Sequence, residues 1–396
     1  MDTEPKTHTP HKAGDCVGQF GGLPREFSIY LDFLRIVAAL LVVAEHMEND
    51  GFALHLGVFA ELGHEAVIIF FVLSGFIIYQ TTAFRSRDPK SYAIARLSRV
   101  YSVAIPCVIL SYLLAYGAFA LGVIPKAAIT PEPQGLGFAL FSTFAFLNQS
   151  WDNHVRVPLN LPYWSLNYEV WYYLFFGLII FTRGWRRLCL FAVAAVASGP
   201  GILALFPVWL MGALYARLRS KLAVNLSIIS ALILFGGSLM LIAGLGTFEF
   251  DERLGSYLHA RVPGYWMLGQ SQRVLTDMLL GVAIVGHLMA MNRLSLPLRS
   301  LLIFMAKPIR FFAGASFTTY LLHRPLSQCF SAVLQEHADN ELVTAATLIA
   351  LIFICMAVAE VTERRLGWWR RHISRLFLTS GDRRKTRSAA GLNSQQ

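Results

Sequence analysis

Apolar stretches of membrane-spanning length recur along the whole chain and are separated by short polar breaks. A transmembrane α-helix needs roughly 20 mostly apolar residues, and in lipid its backbone polar groups must be paired within the helix. The pattern predicts an all-α integral membrane protein, a polytopic bundle of about ten transmembrane helices. The predicted spans cover residues 30–49, 64–83, 100–123, 163–182, 185–200, 202–216, 222–246, 272–291, 311–331 and 341–362.

The composition indicates a single membrane domain with short tails. Of 396 residues, 55% are hydrophobic and only 15% are charged, and no polar block is long enough for a soluble domain. We predict a cytoplasmic N-terminal tail over 1–28, a membrane domain over 29–366, and a basic cytoplasmic tail over 367–396 that is partly disordered. The apolar segment 137–150 is too short to span comfortably, so it is predicted to be re-entrant or interfacial.

The distribution of charge predicts the orientation of the bundle. The formal net charge is +10, but the basic residues cluster in alternate loops and in the C-terminal tail. The loops at 49–63 and 332–340 contain no Lys or Arg. Because cytoplasmic loops of membrane proteins are enriched in Lys and Arg, this distribution predicts that both termini are cytoplasmic. A nucleic-acid partner is not needed to explain the charge.

Two polar residues interrupt the first span, DFLRIVAALLVVAEH. Arg35 and His46 are eleven positions apart, which brings them to within roughly 20° of one helix face and about 16 Å apart along the axis. Asp32 lies one turn before Arg35 and is a candidate ion-pair partner. Spacing alone leaves two interpretations open. Either Arg35 snorkels towards the cytoplasm and His46 is interfacial, or both residues belong to an intramembrane site.

Other polar residues within apolar segments have simpler interpretations. Ser74 and Gly75 favour close helix packing over nucleophilic attack. Asp277 and His287 lie about 80° apart around their helix, so they need not share a site. No metal-ligand spacing or phosphate-binding loop is present. Four of the five cysteines lie in apolar segments, so no disulfide framework is expected.

Six blocks follow one another along the chain: the Arg35 and His46 pair of the first span, and the segments 70–78, 95–102, 161–174, 206–216 and 315–326. In this order they resemble the acyltransferase 3 family of bacterial membrane acyltransferases, which modify cell-surface and secreted glycans. The first block is the Arg and His separated by ten residues in the first span. The others are FFVLSGFII (70–78), ARLSRVYS (95–102), LPYWSLNYEVWYYL (161–174), FPVWLMGALYA (206–216) and ASFTTYLLHRPL (315–326). The resemblance covers the chain from about residue 28 to residue 366.

The resemblance implies three catalytic residues. His46 is the candidate general base, because imidazole titrates near neutral pH. Arg35 is expected to hold the pantetheine arm or the thioester carbonyl, or to stabilise the oxyanion. Glu169 is an intramembrane carboxylate, and we expect it to orient His46 or to pair with an arginine.

The resemblance also implies a donor site and a substrate cavity. Arg96, Arg99 and Arg85 at the cytoplasmic side are expected to bind the donor phosphates. Without the resemblance, topology charges beside anionic lipid would be the favoured explanation of these arginines. The expected cavity residues are Ser74, Trp164, Ser165, Tyr320 and His323. A structural hydrogen-bonding role for Tyr320 and His323 stays open.

The expected function is transfer of an acyl group, acetyl in the first instance, from cytoplasmic acyl-CoA to a glycan hydroxyl. Acetyl-CoA is then a donor substrate, with no permanently bound cofactor, and the acceptor is a surface or secreted glycan, free or lipid-linked. The alternatives are a succinyl or longer-chain acyltransferase, or a transporter or flippase that uses Arg35, His46 and Glu169 as a relay. The expected location is the bacterial inner membrane.

Acceptor recognition is expected on the outer side. The loops at 124–162 and 247–271 are the longest there, and they contain Trp151, Tyr265 and Trp266. Aromatic rings of this kind can stack on sugar rings.

Overall fold

The computed structural model describes residues 22–85, 88–126, 129, 135–151, 153, 155–222, 226–247 and 250–377. All regular secondary structure in these residues is helical, which confirms the predicted all-α class. The first seven helices are α1 (Arg25–Asn49), α2 (Gly63–Arg85), α3 (Pro89–Ala120), α4 (Leu136–Phe144), α5 (Tyr163–Phe181), α6 (Gly184–Ser198) and α7 (Pro200–Leu222). The others are α8 (Ile228–Thr247), α9 (Phe250–Arg261), α10 (Val274–Leu294), α11 (Arg299–Phe304), α12 (Ala306–Ala313), α13 (Ser316–Leu334), α14 (Glu341–Ala359) and α15 (Leu366–Leu376).

Among the described residues, seven helices are long and apolar enough to cross a membrane, namely α1, α2, α3, α7, α8, α10 and α14. The chain is therefore a multi-pass membrane protein. The other three predicted spans contain α5, α6 and α13, which are shorter or more polar. The predicted start of the ninth span at residue 311 is wrong. The chain breaks at Gly314 and Ala315, and α12 is a separate short helix that buries only one face.

The third helix begins earlier than the hydrophobic pattern indicated. Asp88 is its N-cap and accepts a hydrogen bond from the Ser91 backbone N–H, and Pro89 occupies the first turn. These are favoured start signals for a helix. Hydrogen bonds from Ser91 lower the pKa of the Asp88 carboxyl. The basic block 95–102 therefore lies on α3 and not in a loop, so its arginines are held on one rigid helix.

Helices α2 and α7 pack closely against each other at two glycines. A Cβ added at Gly75 would lie 2.0 Å from the Trp209 carbonyl oxygen, and one added at Gly212 would lie 1.9 Å from the Val72 carbonyl oxygen. Small residues allow membrane helices to approach this closely. The prediction that Ser74 and Gly75 favour close packing is confirmed, and this contact fixes the position of Ser74.

The predicted outer loops contain additional short helices. Helix α4 lies in the segment predicted to be re-entrant, and the Tyr163 hydroxyl donates to the Thr143 carbonyl near its C-terminal end. Its depth in the membrane stays a prediction. Tyr265 is buried, so it is not available for the expected stacking on sugars, whereas Trp151 and Trp266 are exposed. The tail residues 378–396, where disorder is predicted, lie outside the described residues.

We expect Gly75→Ala to destabilise the bundle, because the new methyl group collides with backbone of α7. Overpacking a tight contact typically costs about 1–3 kcal/mol. The matched control is Gly236→Ala in α8, where an added Cβ meets nothing within 4 Å. Thermal unfolding in detergent should show a lower midpoint for the Gly75 variant only. Equal midpoints for the two variants would contradict the close α2–α7 contact.

The predicted orientation is testable with membrane-impermeant thiol reagents. Lys90 and Asp339 are both exposed, and neither is a helix cap. Cys16 and the exposed Cys189 are first replaced by serine to remove background labelling. We expect Asp339→Cys to be labelled from outside intact cells and Lys90→Cys to be labelled only after permeabilisation. External labelling at residue 90 would reverse the orientation.

Candidate functional site

A cavity of about 480 Å³ lies between α1, α2, α3, α5, α12 and α13. Its volume falls in the range of small-molecule and cofactor sites, about 300–1,000 Å³. One part of its wall is charged, and another is apolar with a few hydroxyl groups. The cavity therefore suits a ligand that has an anionic portion and a less polar portion.

The charged wall carries a surplus of positive charge. Five guanidinium groups and three carboxylates line the cavity, which leaves a formal surplus of two positive charges. They belong to Arg35, Arg96, Arg99, Arg310 and Arg370, and to Asp32, Glu169 and Glu363. A charged cleft with low-dielectric walls attracts ligands of the opposite sign.

Arg35 and Arg99 meet at one buried carboxylate. Arg99 Nη2 donates to Glu363 Oε1 at 2.5 Å, and Arg35 Nη2 lies 3.8 Å from the same oxygen. Arg35 Nη1 also lies 3.8 Å from Asp32 Oδ1, which confirms the predicted pair. The Arg35 and Arg99 side chains are 21% and 27% exposed, whereas Glu363 is only 2% exposed. All three groups line the cavity, and the carboxylate is the least exposed of them.

Arg96 lies on the same wall, one turn before Arg99. Its Nη2 donates to Thr81 Oγ1 at 3.4 Å, and its guanidinium lies 5.8 Å from the centre of the Tyr92 ring. No ion pair of Arg96 occurs among the described residues. Both arginines line the cavity, which confirms the shared helix face that their spacing predicts.

Glu169 is held by hydroxyl groups. Its Oε1 accepts hydrogen bonds from Ser74 Oγ at 2.6 Å and from the Tyr173 hydroxyl at 2.5 Å. Trp209 Nε1 in turn donates to Ser74 Oγ at 3.1 Å. The two hydroxyls hold the carboxylate in one orientation within the cavity wall. The α2–α7 contact fixes the position of Ser74.

A pair of hydroxyls lines the wall near the start of α5. Ser165 Oγ and the Tyr320 hydroxyl are 2.7 Å apart, and both residues line the cavity. The Phe70 ring meets the Tyr320 ring edge to face, with centroids 5.4 Å apart. Polar hydrogen-bonding groups next to aromatic rings can bind the carbonyl of a ligand whose other parts are apolar.

His46 and His323 lie beyond Tyr320. The His323 ring centre is 6.3 Å from that of Tyr320 and 5.1 Å from that of His46. His46 Nδ1 lies 2.9 Å from the Val42 carbonyl oxygen, and His323 Nδ1 lies 3.0 Å from the Thr319 carbonyl oxygen. A carbonyl only accepts, so each Nδ1 carries the hydrogen and each Nε2 has a free lone pair.

The C-terminal end of α1 is fixed by Arg324, the neighbour of His323. Arg324 Nη1 donates to the His46 carbonyl oxygen at 3.0 Å, and its Nη2 lies 3.1 Å from Asp50 Oδ1. Burial raises the pKa of the Asp50 carboxyl, and the charge of Arg324 opposes that rise. These contacts hold the end of α1 that carries His46 against α13.

The family model of an acyltransferase domain, that of acyltransferase 3, matches residues 28–361. The chain belongs to the acyltransferase 3 family. Comparison with curated proteins and with solved structures found no match. Membership makes the protein a membrane acyltransferase, and the cavity is its candidate active site.

In this acyltransferase the structure brings most of the predicted site residues together. Those that line the cavity are Arg35, Ser74, Arg96, Arg99, Ser165, Glu169 and Tyr320. His46 and His323 do not line it and contact each other instead. Trp164 does not line it either. It packs edge to face against Phe71 and Tyr168.

Two further expectations from the sequence concern Glu169 and Arg85. Glu169 accepts hydrogen bonds from Ser74 and Tyr173, and its charge acts on Arg35, Arg96 and Arg99, but no described hydrogen bond joins it to His46 or to an arginine. The side chain of Arg85 lies outside the described residues, so its role as a donor ligand stays a prediction. Asp277 pairs with His64 and not with His287, as expected from the angle between them.

Sequence reasoning missed Glu363, Tyr173 and Trp209. Glu363 follows the last predicted span directly, and a lone acidic residue at that position was the only available signal. Its partner Arg99 is 264 residues away in sequence, so no local pattern connects them.

Proposed function

We propose that this acyltransferase moves an acyl group, acetyl in the first instance, from cytoplasmic acyl-CoA to a hydroxyl of a cell-surface or secreted glycan. The supporting observation is one cavity with a cationic wall whose residue Tyr320 contacts His323, which in turn contacts His46. We propose the bacterial inner membrane as its location, with both termini cytoplasmic.

The positive charge of the cavity wall supports acyl-CoA as the proposed donor. Coenzyme A carries several phosphate charges, and the cavity has a surplus of cationic groups. Arginine binds phosphate through a planar set of N–H donors. Arg96 is the best candidate for a direct phosphate contact, because its described side-chain hydrogen bond is a long one to Thr81. Arg99 also lines the cavity but is already paired with Glu363, so it contributes mainly positive charge.

The proposed base is His46 Nε2, because its Nδ1 hydrogen is used by the Val42 carbonyl. The acceptor oxygen attacks the thioester carbon, the C–O bond forms and the C–S bond breaks. The hydroxyl proton passes to Nε2 of His46 and from there to the departing thiolate, so no proton is gained or lost overall. In this scheme the thioester must reach past Tyr320 to approach His46.

Arg35 and Glu169 have supporting roles in the proposal. The Arg35 guanidinium is not hydrogen-bonded at short range to either carboxylate, so its N–H groups are available to the pantetheine arm or to a developing oxyanion. Glu169 helps to hold the positive groups of the wall in place through its negative charge. Neither residue contacts His46 in the described structure.

We propose that the acceptor, free or lipid-linked, approaches from the outer side. Trp151 and Trp266 are 48% and 54% exposed and are available to stack on sugar rings. A succinyl or longer-chain donor is the alternative within the same chemistry. The transporter alternative is less well supported, because family membership favours acyl transfer.

We expect His46→Ala to abolish transfer while the protein still folds and binds acetyl-CoA. General-base catalysis is typically worth 10²–10⁴-fold, so turnover should fall at least about 10²-fold. The matched control is His55→Ala, because that side chain is 70% exposed in a loop. The assay follows labelled acetyl-CoA and isolated surface glycan with purified protein in nanodiscs. A loss of only about twofold would remove His46 from the mechanism, and movement of an unmodified solute would favour a transporter.

We expect the double substitution Arg96→Gln and Arg99→Gln to weaken acetyl-CoA binding. Hydrogen bonds to charged groups contribute about 1.5–3 kcal/mol each, so the Kd should rise at least about tenfold. The control pair, Arg183→Gln with Arg186→Gln, has the same spacing, and both residues are exposed. Binding is measured by calorimetry, with thermal unfolding in parallel. An unchanged Kd would assign these arginines to topology or lipid contacts.

A further inference from the structure

Glu363 is a buried carboxylate at the cytoplasmic end of the candidate site, where the chain leaves α14. It begins a short 3₁₀ helix, Glu363–Arg365, and its side chain is 2% exposed. It lies two residues beyond the segment that the family model matches. An ionised group with so little exposure needs partners that compensate for lost hydration.

Its two oxygens have different partners. Oε1 accepts from Arg99 Nη2 at 2.5 Å and lies 3.8 Å from Arg35 Nη2. Oε2 accepts from the backbone N–H groups of Phe317 and Thr318 at 3.1 and 3.2 Å. One carboxylate therefore joins a cation of α1 and a cation of α3 to the beginning of α13.

The contact with α13 replaces a missing cap. The first N–H groups of a helix lack partners within the helix, and the N-cap residue usually supplies a side-chain acceptor. Here the N-cap is Ala315, which has none. Glu363 supplies the acceptor instead, and its negative charge also suits the positive end of the helix dipole. A hydrogen bond between Thr362 and Thr318, 2.9 Å long, reinforces the same junction.

Helix α13 carries the groups that face the reaction. Tyr320 lies one turn after the capped N–H groups, and His323 lies one turn further along. The distance between the donor cations and these two side chains therefore depends on how α13 is attached to Arg35 and Arg99. Two described contacts attach it there: the Glu363 carboxylate joins Arg99 to the first N–H groups of α13, and the Arg99 guanidinium lies 5.4 Å from the centre of the Phe317 ring.

We infer that Glu363 is a positioning residue: it fixes the two donor-facing guanidiniums relative to Tyr320 and His323 on α13. This inference rests on the proposed function, because it assumes that an acyl-CoA donor occupies the cavity. Glu363 lies in the cavity wall but is only 2% exposed, and it acts through Arg99 and the start of α13. Misplacement of reacting groups by about 1 Å can reduce rates about 10²-fold.

The test compares Glu363→Gln with Glu360→Gln. The Glu363 variant keeps an oxygen that can accept from the helix N–H groups but loses the charge that holds the guanidiniums. Glu360 is a matched control, because it lies three residues earlier, is 59% exposed and pairs with Arg364 at the surface. Turnover per folded protein, the Kd of acetyl-CoA and the thermal midpoint are measured for each in nanodiscs.

We expect Glu363→Gln to lower turnover about 10–10²-fold. Its acetyl-CoA Kd should stay within about threefold of wild type, because the surplus of positive charge that attracts phosphates is not reduced. A purely structural residue would lower the midpoint and the yield but leave turnover per folded protein unchanged. Unchanged turnover, or a loss shared equally by Glu360→Gln, would overturn the inference.

A second comparison does not require the single variant to fold well. The double variant Arg99→Gln with Glu363→Gln removes both buried charges together, and it is compared with Arg99→Gln alone. If Glu363 acts through Arg99, the two should turn over within about threefold of each other, because coupled residues are not additive. A further loss of about tenfold or more in the double variant would assign Glu363 an independent role and contradict positioning.

Measurements of acetyl-CoA binding and turnover by the wild-type protein show whether this inference or the proposed function has failed. If wild type neither binds nor turns over acetyl-CoA, the donor assignment fails and the positioning role fails with it. If wild type does both and Glu363→Gln matches it, only the positioning role is wrong.

Discussion

Charged groups within an apolar bundle must be paired or must face a polar space, since burial of an unpaired ion costs several kcal/mol. This constraint explains the arrangement of the site. Arg35 lies between two carboxylates, Asp32 and Glu363, and Arg99 is paired directly with Glu363. Glu169 accepts from two hydroxyls. Arg35, Arg99 and Glu169 each have such partners and also line the cavity, so the contacts that stabilise these charges also shape the binding space.

The carboxylate–hydroxyl side of the site depends on backbone packing as much as on charge. Ser74 donates to Glu169, and the close approach of α2 to α7 lets Trp209 donate to the same Ser74 hydroxyl. That approach needs glycine at residue 75, where a methyl group would meet the Trp209 carbonyl. A helix contact that looks purely structural therefore determines the orientation of an intramembrane carboxylate.

Residue spacing predicted correctly which side chains share a face or a contact within one helix. It did not predict contacts between helices that are far apart in sequence. The shared face of Arg96 and Arg99 and the pair of Arg35 with Asp32 follow from spacing on a single helix. Trp164 and Ser165 are consecutive on α5, and their spacing did not decide that Ser165 lines the cavity whereas Trp164 packs against Phe71 and Tyr168. The pairing of Glu363 with Arg99 joins segments 264 residues apart, which no local pattern reveals. The break before α13 was missed because α12 is itself apolar on one face.

The separation between the cavity and His46 has a consequence for acyl transfer as proposed. A base in contact with the donor cavity would be able to activate water there and hydrolyse the thioester. In this bundle Tyr320 lines the cavity, His323 packs beyond it, and His46 is reached last. Arg324 holds that end of α1 against α13, so the two imidazoles stay together. Because α13 carries both Tyr320 and His323, the attachment of its first turn to the donor cations sets the distance that the acyl group must cross.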